Sequence, residues 1–136
     1  MKKGEPMKTF VQKVLFKATP KEMYEIFMNP KKHSEATGGK ATGNGKVGGS
    51  FTAWDGYIRG KNLALVPGRL VVQTWRNKEF KAKDHDSLFI VTLEKTSDGT
   101  LLTMTHTALP DHQSGVEKGW HDFYWTPIKK YLRHSK

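Results

Sequence analysis

The sequence predicts an α+β domain in which a run of antiparallel strands lies against one long C-terminal helix. Three observations carry this. An alternating apolar segment opens the chain at residues 9–18. Five strand-like segments joined by short turn signals fill residues 50–108. A broad aromatic stripe at helical spacing closes it after Ser114. Strands grouped apart from helices define the α+β class, and connections this short imply an antiparallel meander.

In the first strand Phe10, Gln12, Val14, Phe16 and Ala18 share one face, and Val11, Lys13, Leu15 and Lys17 the other. This is the two-residue period of a half-buried strand. Thr19-Pro20-Lys21-Glu22 then reads as a helix start. Thr19 caps, Pro20 takes the first helical position and Glu22 closes a capping box. Met23, Ile26 and Phe27 give that helix an apolar stripe, and Asn29-Pro30 ends it and caps a second short helix over residues 30–36. A glycine-rich loop, GGKATGNGKVGG, occupies residues 38–49.

The strand candidates are residues 50–54, 57–66, 69–76, 87–95 and 100–108. Asp55-Gly56 reads as a two-residue hairpin turn. Pro67-Gly68, the charged stretch 77–86, Ser97-Asp98-Gly99 and Leu109-Pro110 supply the other breaks. In the last helix Ser114 to Glu117 matches a capping box, and Val116, Trp120, Phe123, Tyr124, Pro127, Ile128 and Tyr131 form the inward stripe. Pro127 is expected to kink it. The face beneath should hold Val71, Gln73, Trp75, Phe89, Val91, Leu93, Leu102, Met104 and His106, with Phe16 and Phe51.

Composition bounds the function. The chain has 136 residues, one domain's worth, and no cysteine, which excludes disulfides, thiolate metal sites and thiol nucleophiles. No segment approaches the ~18–20 apolar residues of a membrane span. Met1-Lys2-Lys3 is followed by Gly4-Glu5-Pro6, not an apolar stretch, so a cytoplasmic protein with a disordered start over residues 1–6 is expected. The net charge of +10 is spread as +6, +2 and +2 over residues 1–50, 51–100 and 101–136. Dispersed charge of this kind reads as a solvated surface, not a nucleic-acid stripe.

Several motifs fail their structural context. Gly43-Asn44-Gly45-Lys46-Val47-Gly48 spells the dinucleotide fingerprint, but a helix precedes it and a strand follows, the reverse of what phosphate binding needs. It is expected to be a loop beside a cavity mouth. Asp84-His85-Asp86 reads as a solvated turn. No histidine pair has zinc-protease spacing, so neither metal nor cofactor is expected.

The inner face is mostly apolar, with Gln12, Gln73 and His106 set into it. A few polar groups in an aromatic concavity make the composition of a small-molecule pocket. Its candidate lining is Phe51, Gln73, Trp75, Phe89, Val91, Met104, His106, Trp120, Phe123 and Tyr124. The alternative is that each polar group pairs with a neighbour or a water.

Thr19-Pro20, Gly48-Gly49-Ser50-Phe51, Asp55-Gly56, Val66-Pro67, Thr74-Trp75-Arg76 and Gly119-Trp120 together resemble one family. It is the C-terminal-domain form of the activator of the 90-kDa heat-shock protein ATPase, within the helix-grip superfamily of lipid-transfer and birch-pollen-allergen-like domains. The resemblance spans roughly residues 7–133. It implies a helix-grip fold, a curved six-stranded sheet wrapped on the C-terminal helix, with a cavity between them that takes apolar ligands. Three functions follow as expectations. The first is a non-enzymatic module binding an apolar or aromatic small molecule, with no catalytic residue. The second is a partner of the 90-kDa heat-shock protein that stimulates its ATPase. The third is a polyketide-cyclase-like enzyme using His106 and Gln73.

Overall fold

The computed structural model describes residues 7–134. Strand β1 (Met7–Phe16) is followed by helices α1 (Pro20–Met28) and α2 (Pro30–Thr37). Strands β2 (Thr42–Gly43), β3 (Ser50–Ala53), β4 (Ile58–Val66), β5 (Leu70–Asn77), β6 (Ser87–Thr96) and β7 (Gly99–Pro110) come next. The C-terminal helix runs through α3 (Val116–Trp120), a π-helical turn (His121–Trp125) and α4 (Thr126–His134). The strands form one antiparallel sheet of seven in the order β1-β7-β6-β5-β4-β3-β2. The α+β class and the helix-grip order stand. The seventh strand is the two-residue β2, which lies inside the glycine-rich loop, where sequence alternation has nothing to read.

Local chemistry fixes the first helices as expected. The Thr19 hydroxyl accepts from the Glu22 amide, and the Glu22 carboxylate accepts from the Thr19 amide, a complete capping box. Asn29 caps α2 by accepting from the Lys32 amide. In β1 the side chains of Phe10, Gln12, Val14 and Phe16 point into the core.

Two local readings are corrected. Ala53 pairs with Ile58, so the β3–β4 connection is a four-residue turn, not Asp55-Gly56 alone. Trp54, Asp55 and Gly56 all take left-handed backbone, with φ of 50°, 59° and 87°. The C-terminal helix lacks the expected capping box: Gly115 occupies the N-cap and no side chain caps there.

The helix is not simply kinked at Pro127. It widens just before it, and the Thr126 amide donates to the His121 carbonyl five residues back. Pro127 has no amide hydrogen for an ordinary helical bond to Phe123, which suits a wide turn at this point. The extra residue rotates the stripe. Trp125 is buried and stacks on Trp120, with ring centroids 5.4 Å apart. Phe123, expected inside, is 55% exposed. Leu132 is buried, while Tyr131 is only partly so.

The core lies between the sheet's inner face and this helix. Val71, Trp75, Phe89, Val91, Leu93, Leu102, Met104 and Phe16 all fall there as expected. Trp120 stacks on Phe89 at 4.7 Å and 10° between planes, and α1 adds Phe27 against Phe89 and Trp125.

Candidate ligand site between sheet and helix

The polar residues of the inner face are partnered by protein. The Trp120 indole N–H donates to His106 Nδ1 at 3.1 Å, so that nitrogen carries no proton. The proton of the neutral ring then sits on Nε2, which donates to Ser87 Oγ at 2.8 Å. Ser87 in turn donates to the Trp75 carbonyl at 2.7 Å. The result is a one-way chain from helix to strand, and burial pushes the His106 imidazole down to about 3. Both ring nitrogens are occupied, so His106 has no lone pair to offer a substrate proton. This removes the geometric basis for His106 as a general base.

Gln12 is closed in the same way. The Trp125 indole donates to its carbonyl oxygen at 2.6 Å, and its amide donates to the Glu117 carbonyl at 2.7 Å. Gln73 donates to Asn62 at 2.9 Å, and Asn62 donates to the Lys46 carbonyl in the glycine-rich loop at 3.1 Å. That loop is also tied to β4 by backbone hydrogen bonds: the Gly48 amide donates to the Asn62 carbonyl, and the Asn62 amide donates to the Gly49 carbonyl.

Two spaces remain. The first lies under the helix, bordered by Phe51, Gln73, Trp75, Phe89, Trp120 and Tyr124 of the expected lining, with His33 and Asn62. It offers about 30 Å³, room for one or two waters and not for an organic ligand. Gly43 and Gly45 border it, so the glycine-rich loop does lie at a cavity's edge. His33 Nε2 and the Tyr124 hydroxyl are 3.2 Å apart there. Burial lowers the His33 imidazole to about 4 and pushes the Tyr124 phenol up.

The second space is a groove of about 540 Å³ where the start of the C-terminal helix meets the β3–β4 turn and the end of β5. Trp75, Trp120, Phe123 and Tyr124 of the expected lining border it. Val91, Met104 and His106 border neither space and belong to the packed core. Sequence reading missed the other groove residues, among them Trp54, Tyr57, Glu79, Val116 and Gly119. Trp54, Tyr57 and Glu79 come from a turn and a connection, where no periodicity marks a face, whereas Val116 lies on the helix's inward stripe but is absent from the expected lining. Trp54 packs edge-on to Phe123 at 5.6 Å. The Tyr57 hydroxyl donates to Glu79 Oε2 at 2.6 Å, and burial, then this bond, raise the phenol to about 12.

Asp84-His85-Asp86 does not act as one unit. Asp84 pairs with His112 at 2.8 Å, which holds its carboxyl below the usual range, and Asp86 pairs with Arg76 at 2.7 Å. Among the described residues no cluster of three or more His, Asp or Glu is placed to hold a metal ion, and no helix is long and apolar enough to cross a membrane.

An antiparallel sheet gripping a C-terminal helix defines a helix-grip domain. The family model described as Activator of Hsp90 ATPase homolog 1-like protein matches residues 17–133, and the chain belongs to that family. The activator of 90 kDa heat shock protein ATPase homolog of Dictyostelium discoideum is 34% identical over 117 residues, covering 83% of this chain and 30% of that protein. The chain spans about a third of the length of the curated relatives it matches. Among solved structures, protein MLL2253 from Mesorhizobium loti superposes with a TM-score of 0.81 at 23% identity, covering 95% of this chain and 99% of the other. An HSP90 activator from Plasmodium falciparum gives 0.78 at 19% identity, with 95% and 96% covered.

Proposed function

We propose that the protein is a non-catalytic binding module that takes an apolar or aromatic ligand in the groove at the start of its C-terminal helix. One contrast carries this reading. The space under the helix is about 30 Å³, whereas the groove beside it is about 540 Å³ and aromatic-lined. Pockets for small organic molecules fall within roughly 300–1,000 Å³. The closed hydrogen-bond chains around His106 and Gln12 argue against chemistry in the core itself.

Gly119 offers a clean test. It borders the groove from inside the helix, and a side chain there would meet only Phe123 at an ordinary 3.8 Å. Gly119→Leu should fill the groove and raise helix stability by about 0.5–1 kcal/mol. Titration of a neutral fluorescent aromatic, N-phenyl-1-naphthylamine, should show saturable binding to the unmodified protein and none to the variant. Equal binding by both proteins would place the ligand elsewhere.

The family favours a second reading, contact with the 90-kDa heat-shock protein. The Dictyostelium relative is named for that activity, and the +10 charge of this chain suits an acidic partner surface. Added to the purified chaperone, the protein should be retained in a pull-down and raise ATP turnover, less so at high salt because exposed charges are screened. No retention and no stimulation at low salt would end that reading.

A further inference from the structure

We propose that the groove selects an organic cation on an apolar body, such as a quaternary ammonium or a protonated aromatic amine, with Glu79 as its counter-ion. This rests on the groove being the ligand site and adds the charge class of the ligand. The chain carries 23 lysines and arginines, yet among the described residues none of them borders the groove. A carboxylate- or phosphate-bearing ligand would therefore find no fixed positive charge from Lys or Arg on its walls. The groove does have a carboxylate, Glu79, at its rim.

Glu79 is held in place twice. Its amide donates to Asn77 Oδ1 at 2.9 Å, and its Oε2 accepts from the Tyr57 hydroxyl at 2.6 Å. One accepted hydrogen bond leaves a carboxylate most of its acceptor capacity. The Tyr57 phenol stays protonated at neutral pH, so it orients the carboxylate and does not compete with it for a cation.

Around this charge stand aromatic rings with accessible surface. Tyr57 is 38% exposed, Phe123 is 55% exposed and Trp54 is partly buried. Electron-rich ring faces attract a cation, and more strongly once water is excluded. Trp54 is kept at this position against its own preferences. Its backbone is left-handed at φ 50°, and its buried indole N–H has no hydrogen-bond partner. An unsatisfied buried donor is costly, and strained residues of this kind gather where a ligand is clamped. Gly39 makes room for the ring, since a Cβ there would lie 2.5 Å from it.

Three probes of similar shape separate the possibilities: benzyltrimethylammonium, its neutral isostere neopentylbenzene, and the anion phenylacetate. Binding is read from the indole N–H resonances of Trp54 and Trp120 in a heteronuclear NMR titration. The ammonium should bind about tenfold tighter than the neutral isostere. Glu79→Gln should weaken the ammonium by about threefold and leave the isostere unchanged. If the isostere or phenylacetate binds as tightly as the ammonium, or Glu79→Gln leaves the ammonium unaffected, the cation proposal falls while the groove reading stands. If none of the three moves either resonance, both fall.

Discussion

Replacing His106 by Ala should lower the free energy of unfolding by about 3–5 kcal/mol, measured by urea denaturation at pH 7. The residue is fully buried and its ring touches Trp75, Phe89, Phe10 and Trp120. Truncation removes that packing, and it orphans the Trp120 indole N–H and a bond to Ser87. Transfer and cavity terms for a large buried side chain alone reach about 3 kcal/mol, and a stranded donor adds to them. A loss below about 1 kcal/mol would mean that the chain from Trp120 to Trp75 does not hold the helix to the sheet. The same residue read as a catalytic base requires the opposite result: turnover lost and the fold intact.

Lowering the pH from 7 to 5 should cost about 4 kcal/mol of stability through two histidines. His33 and His106 titrate at about 4 and about 3 in the folded protein, chiefly because burial penalises the charged ring. In the unfolded chain each returns to about 6.5. Between those values the unfolded state binds more protons than the folded one, so stability is complete above pH 6.5 and falls as the medium becomes more acid. At pH 5 each contributes about 2 kcal/mol. Ordinary carboxylates titrate lower, near 4, which keeps this window largely free of them. Denaturation curves collected from pH 7 to 5 should show the decline, and a His106 variant should show about half the slope. A flat profile would place both rings in contact with solvent.

The sheet and its inner face were legible because alternation is a strong signal when one side is dry. Phe10 to Phe16, Val71 to Trp75 and Phe89 to Leu93 all point where the two-residue period puts them. The capping box at Thr19 was legible for a local reason, since its hydrogen bonds involve neighbours only. The C-terminal helix was read with a constant 3.6-residue period, and the π-helical turn breaks that assumption. It turned Phe123 outward and Trp125 inward, and sequence gives no phase marker beyond Pro127 itself. The polar residues of the inner face were correctly located, but their partners were not. The Trp120–His106 and Trp125–Gln12 bonds join positions 14 and 113 residues apart, and nothing local encodes them. The groove was half seen for the same reason: its helix side is periodic, and its turn side is not.

The π-helical turn also divides the C-terminal helix into two parts with separate moorings. Ahead of it, Val116 to Trp120 borders the groove and is tied to β1 through the bond from Gln12 to Glu117. Behind it, Ile128 and Leu132 are buried on the part that packs against α2. The joint lets each segment seat its own residues at its own phase: Trp120 ahead of it is buried against His106 and Phe89 of the sheet, and Trp125 within it is buried against Phe16 and Phe27.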